Sequence, residues 1–170
     1  MGGISVVNAN VLDVPASALL LTIDGSRRGM EGNVARQFAA RHAQDWGDML
    51  RVLKFPTPLG RCVAVPWDGD APSRLYLFAA TLHHVGVLDE ADKTAAVTRA
   101  FHEAMRLCTR HGARSLATPI LRGGWRLARD DALRIMPGPA AQSAAQAASG
   151  LRVSVCCRDP AVETVPAPTR

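Results

Sequence analysis

Two glycine-containing stretches hold the residues best placed to do chemistry. The first reads Asp24-Gly25-Ser26-Arg27-Arg28-Gly29-Met30-Glu31-Gly32. It sets two carboxylates, Asp24 and Glu31, at the ends of a polar loop with three glycines. Two carboxylates held close together can supply an acid/base pair. The plainer reading is that Asp24 stabilises its own turn and that Glu31 is solvated near a helix N-terminus. The second stretch reads Leu121-Arg122-Gly123-Gly124-Trp125-Arg126-Leu127. Glycines let the backbone approach a bound group closely and adopt positive φ. Their N–H groups, pointing one way, form an anion-binding nest. Arg122 and Arg126 add phosphate-matching donors. The competing reading is an ordinary turn with solvated arginines. Trp125 suits either a ligand lid or a core position.

Other reactive side chains carry weaker signals. His83-His84 stands at the end of an apolar run, without further ligand-type neighbours, so no metal site is assigned and no cofactor is expected. The four cysteines, Cys62, Cys108, Cys156 and Cys157, show no C-x-x-C spacing, and each lies in an apolar segment. Buried free thiols in a reducing compartment follow. Adjacent Cys156 and Cys157 on one strand would face opposite ways.

The elements that must position these groups alternate. Apolar runs at residues 4–9, 18–23, 61–65, 74–82, 115–120 and 151–157 read as strands. The helix expected at 33–46 begins directly after the first glycine loop, where its dipole favours an anion. A long helix from a cap at Asp92 to about His111 carries the stripe Val97, Phe101, Met105 and Cys108, with Gly112 behind it as a stop. A short helical segment is expected at 129–136. Pro137-Gly138-Pro139 should interrupt any helix before an Ala- and Gln-rich one at 142–149. Strands alternating with helices predict an α/β domain, helices covering both faces of a mixed sheet.

The chain has 170 residues, 48% of them hydrophobic and 21% charged, which suits one domain with a full core. Net charge is +5, carried mostly by arginine, and the pI is near 9.6. That balance suits a polyanionic ligand, either nucleic acid or a small phosphate compound. No block of consecutive basic residues of the kind that wraps nucleic acid is present, so nucleic acid is the less favoured partner. No apolar run approaches the roughly 20 residues of a membrane span, and no signal peptide is visible. A cytoplasmic protein without membrane attachment is expected.

Read in order, these pieces resemble the macro domain, the ADP-ribose-binding fold, over residues 4–157. The family's Gly-Asp-Ile/Val step is matched by Ala9-Asn10-Val11, and its strand ending Asn-Ala-Ala-Asn by Leu21-Thr22-Ile23-Asp24. Its glycine-rich loop and helix are matched by Arg27-Arg28-Gly29-Met30-Glu31-Gly32-Asn33-Val34. Its Ser-Ile-Ala-Phe-Pro, followed by Ser-Thr-Gly-Val-Tyr-Gly, is matched by Ser115-Leu116-Ala117-Thr118-Pro119 and then Arg122 to Leu127.

The resemblance implies a three-layer α/β/α sandwich with a mixed sheet of about six strands, residues 115–120 forming an interior one. It implies a single macro-like domain over 1–159 with a Pro-rich tail at 160–170. It also implies a ligand, ADP-ribose or an ADP-ribosylated molecule. Asn10 and Val11 would meet the adenine, and Gly29, Met30, Gly32, Leu121, Arg122, Gly123, Gly124, Trp125 and Arg126 would line the rest. Asp24 and Glu31 would be the catalytic pair, if there is one. The departures bear on activity. Asn10 replaces an Asp, Asp24 replaces an Asn, and Leu127 replaces the second glycine of the phosphate loop, which would leave that loop more open or remodelled. The resemblance therefore predicts binding with hydrolysis absent or weak. The alternative is a macro-like fold that has lost ADP-ribose and binds protein or RNA.

Overall fold

The computed structural model describes residues 2–28, 32–83, 88–123, 127–148 and 150–158. Six strands form one sheet: β1 (Gly3–Val7), β2 (Ala18–Asp24), β3 (Cys62–Pro66), β4 (Leu75–Leu82), β5 (Ser115–Pro119) and β6 (Arg152–Cys156). Their order across the sheet is β1-β6-β5-β2-β4-β3. All pairs are parallel except β3 with β4, so the sheet is mixed. β5 lies between β6 and β2, the interior place expected of it. Pro119, which lacks an N–H, closes that strand.

Parallel strands need crossover helices, so both faces of such a sheet are covered. The side-chain period of 2 divides β2 and β4 between the two faces. Leu19, Leu21 and Ile23 join Tyr76 and Phe78 in one core, under α1 (Asn33–Arg41) and α2 (Ala43–Val52). Leu20, Leu75, Leu77 and Ala79 join the other, under α3 (Glu90–Arg110), α4 (Arg129–Ile135) and α5 (Pro139–Ala147). The result is a three-layer α/β/α sandwich. The predicted stripe on α3 is entirely buried.

Three local expectations change. The helix expected at 33–46 is two helices, broken at His42, whose φ of −137° and ψ of 57° leave the helical region. In an unbroken helix, eight residues rise about 12 Å. The rings of Phe38 and Trp46 are instead 6.1 Å apart, edge to face, and the break is what brings them together in one core. The cap of α3 is Asp89, which accepts from the Asp92 N–H, rather than Asp92 itself. Pro139 starts α5 instead of interrupting it, because at the first helical position the missing N–H costs nothing.

Phe101 is fully buried on α3, facing the sheet. Phe101→Ala should cost about 3–5 kcal/mol of folding stability through the cavity it leaves. A shift in the chemical denaturation midpoint at unchanged slope checks this.

Candidate functional site

β2, β4, β5 and β6 run parallel, and their C-terminal ends lie along one edge of the sheet. A cleft of about 600 Å³ opens there, between the strand ends, the start of α1 and the loop after β5. Open α/β sheets bind ligands at this edge, because the loops that follow the strands converge on it.

Asp24 ends β2 and lies in the cleft wall, only 3% exposed. Its Oδ1 accepts from the Ser26 N–H at 2.8 Å and from the Ser26 hydroxyl at 2.5 Å. Its Oδ2 has no hydrogen-bond partner among the described residues. The turn reading of Asp24 therefore explains one carboxylate oxygen and leaves the other without a role. Burying a carboxylate oxygen unpaired is costly unless something arrives to satisfy it.

The loop after Asp24 is fastened away from the cleft. The Gly25 N–H donates to Leu82 O, and Gly25 O accepts from the Thr57 N–H at 2.7 Å. His83 Nε2 lies 2.7 Å from Thr57 O, so that nitrogen carries the proton it donates. A Cβ on Gly25 would sit 2.3 Å from Thr57 O, and only glycine fits. Arg28 donates to Leu53 O and lies over the ring of Phe55, 5.8 Å from its centre. This arginine is a structural tie to residues 53–57, and neither Arg27 nor Arg28 lines the cleft. Further on, a Cβ at Gly32 would meet Thr22 Oγ1 at 2.4 Å, so glycine brings the start of α1 tight against β2.

The second loop is closed by its own backbone. The Leu127 N–H donates to Arg122 O, and Arg122 Nε donates back to Leu127 O, both at 2.9 Å. Leu127 is 1% exposed and belongs to the core under α3, α4 and α5. Leu127, where the family resemblance has a glycine, thus fixes its own end of the loop to the core. Leu121 is also buried, and its N–H meets Met136 Sδ. Gly123 has φ of 54° and approaches Thr81 O so closely that a Cβ would lie 2.9 Å away.

Of the expected site residues, Asp24, Gly32, Arg122 and Gly123 line this cleft. Gly29, Met30, Glu31, Gly124, Trp125 and Arg126 lie outside the described residues, and so does the Asp24–Glu31 pairing. Asn10 caps a short 3₁₀ turn, Val11–Asp13, its Oδ1 accepting from the Leu12 N–H. Val11 is buried and lines a separate cleft of about 470 Å³ at the opposite edge of the sheet. His83 serves the loop tie, and Trp46 and Trp67 pack against the α1/α2 core.

Sequence reading missed three cationic residues of the cleft: Arg36, Arg129 and Arg158. Arg36 lies in the first turn of α1, the place its spacing from Gly32 gives it, so a signal existed. Arg129 and Arg158 sit at segment ends that meet only through the topology. With Arg122, four arginines line the cleft against one carboxylate, Asp24, among the described residues. Such a cleft focuses a positive field. No group of His, Cys, Asp and Glu among the described residues is arranged to hold a metal ion, and no helix there is long and apolar enough to cross a membrane.

The sequence matches no family model and no curated protein. Solved structures do match. The macrodomain of Thermus aquaticus DarG is similar at a TM-score of 0.70 and 21% identity, over 92% of this chain and 99% of that one. The macrodomain of Mycobacterium tuberculosis DarG is similar at 0.70 and 17%, over 92% and 98%. The Trypanosoma brucei macrodomain, solved in complex with ADP, is similar at 0.74 and 15%, over 94% and 65%. This chain has the macrodomain fold.

Replacing Leu127 tests its anchoring to the core. Leu127→Gly should lower stability by about 2–5 kcal/mol, from the lost core side chain and the added backbone freedom. Thermal or chemical denaturation checks it. A loss below about 0.5 kcal/mol, the range of ordinary surface changes, would contradict the anchoring.

Proposed function

We propose, on the premise of that fold, that this chain binds ADP-ribose or a related adenine nucleotide diphosphate and hydrolyses ADP-ribosyl bonds slowly or not at all. The observation that carries the reading is Asp24: a buried carboxylate with one oxygen unpartnered, in the wall of a cationic cleft. A carboxylate accepts hydrogen bonds from sugar hydroxyls. Arginines and glycine N–H groups suit a diphosphate. The cleft volume of about 600 Å³ falls in the range of small-molecule sites. The Trypanosoma brucei neighbour was solved with ADP.

In this reading, the backbone N–H groups of residues 122–126 hold the diphosphate, with Arg122 and Arg126 beside them. Gly29, Met30 and Gly32 approach it from the other side. Asp24 takes the distal ribose, and Trp125 covers the ligand. Residues 1–159 act as one module of a cytoplasmic protein. The competing reading is that the fold has lost this ligand and binds protein or RNA. It draws on Arg28, which is turned away from the cleft. Against it, Arg36, Arg129 and Arg158 restore the charge that Arg28 does not supply.

Slow hydrolysis follows from charge. Asp24 ionised cannot donate the hydrogen bond that an amide would give a substrate. A second carboxylate on Glu31 would repel both Asp24 and the diphosphate.

Calorimetric titration should show ADP-ribose binding at least about tenfold more tightly than AMP, the equivalent of about 1.4 kcal/mol for the additional phosphate and ribose. Gly124→Glu should abolish that binding at unchanged circular dichroism, since it adds bulk and like charge where phosphate sits. Unchanged affinity would move the site elsewhere.

A turnover assay on O-acetyl-ADP-ribose and on a mono-ADP-ribosylated protein should show little product. Rapid turnover lost in Asp24→Ala or Glu31→Ala would instead make the chain a hydrolase with a two-carboxylate site.

A further inference from the structure

All four cysteines are free and buried, but they are not equivalent. Burial pushes the Cys108 thiol up to about 12 and the Cys156 thiol to about 11. It raises Cys62 well above its ordinary value too, with the Glu103 charge adding to the effect. These three are held as neutral thiols. Cys157 is placed differently. Cys156 and Cys157 both line the arginine cleft, but it is the Cys157 Sγ that accepts a hydrogen bond from Arg129 Nη2, at 2.6 Å. Asp24, a buried residue whose Oδ2 has no partner among the described residues, lines the same cleft.

We propose that Cys157 is a modification site, at which a small anionic disulfide enters the cleft and exchanges with the thiol. The incoming disulfide is the oxidant. The Cys157 thiol loses its proton to solvent, and the sulfur attacks one sulfur of the disulfide. The disulfide's S–S bond breaks as the new S–S bond to Cys157 forms. One half stays on Cys157 as a mixed disulfide, and the other leaves as a thiolate that takes up a proton. The Arg129 guanidinium stands where negative charge gathers on the attacking sulfur. The four arginines raise the local concentration of an anionic reagent.

Cys156 cannot resolve the adduct. Neighbouring Cα atoms are about 3.8 Å apart, short of the roughly 4.4–6.8 Å that disulfides span. Cys156 also packs into the core under α1 and α2, whereas Arg129, the partner of Cys157, belongs to the layer on the other face. The mixed disulfide therefore persists until an external thiol removes it. It occupies the cleft, and this consequence rests on the nucleotide reading above: the oxidised protein is closed to ADP-ribose.

The test uses the full chain, incubated with glutathione disulfide or with cystamine, a cationic disulfide, and mapped by peptide mass spectrometry. The adduct should form on Cys157 and not on Cys62, Cys108 or Cys156. Glutathione disulfide should react about tenfold faster than cystamine, or more, and salt should shrink the difference. Arg129→Gln should slow the reaction and reduce the preference, and Cys157→Ser should take up no adduct. If Arg129→Gln does not fold, the salt dependence of the wild type carries the same information. In a second arm, the glutathionylated protein should bind ADP-ribose at least about tenfold more weakly than the reduced one, equivalent to about 1.4 kcal/mol, and dithiothreitol should restore it. Labelling of the other cysteines, or equal rates with both disulfides, overturns the site. Full affinity in the adduct overturns the closure. A reduced protein that ignores ADP-ribose refutes the nucleotide reading alone, because the first arm decides the thiol without it.

Discussion

The parallel pairing of β2 with β4 on one side and β5 on the other is the constraint from which the rest follows. A strand paired in parallel on both sides cannot reach either neighbour by a tight turn. The chain must cross over each face, so helices cover both, and β2 must be apolar along nearly its whole length. Ala18 to Leu21 are buried accordingly, and polar character returns only at Thr22 and Asp24. The same pairing lays four strand ends along one edge. Residues far apart in sequence, Asp24, Gly123 and Cys157, then share one cleft wall.

At that edge the fold gives up some regularity. The register between β2 and β4 shifts between Ile23 and Asp24. The Gly25 N–H still finds Leu82 O, so the backbone remains satisfied beyond the irregularity. The side chain does not: Asp24 keeps one oxygen unbonded while almost fully buried. A neutral residue of similar size would avoid that desolvation cost of about 1–3 kcal/mol or more. Local departures from the best-folded solution gather where a structure serves something besides its own stability. The Arg122–Leu127 closure works in the opposite sense, tying Arg122, next to the left-handed Gly123, to a residue of the core.

How much of this was legible depended on whether the signal was local. The strands were readable because continuous apolar runs bounded by Gly, Pro and Asp have few alternatives. The α3 stripe was readable because its period is that of a helix. The break at His42 was not, since neither proline nor glycine marks it. Arg28 sits in a glycine-containing loop, and what assigns it to Leu53 and Phe55 is a segment about twenty-five residues away. Arg129 and Arg158 are cleft residues only because α4 and the end of β6 converge, which no spacing within the chain encodes. The glycine loops announced the edge of the sheet that matters, while the charged residues serving it had to be found in three dimensions.

The composition takes on meaning once the arginines are placed. A net charge of +5 says only that a polyanion is welcome. Elsewhere on the molecule, several cations are neutralised by neighbouring acids: Arg41 by Asp13, Arg61 and Arg106 by Glu103, Arg51 by Asp48 and Lys93 by Glu90. The described residues of the cleft include four arginines and one carboxylate, Asp24. Positive charge is thus concentrated in the concave part of the surface, where low-dielectric walls strengthen its field. Asp24 is set into that wall. A ligand suited to both features carries its negative charge in the middle and hydroxyl donors at one end, which is the chemical pattern of a sugar linked through a diphosphate.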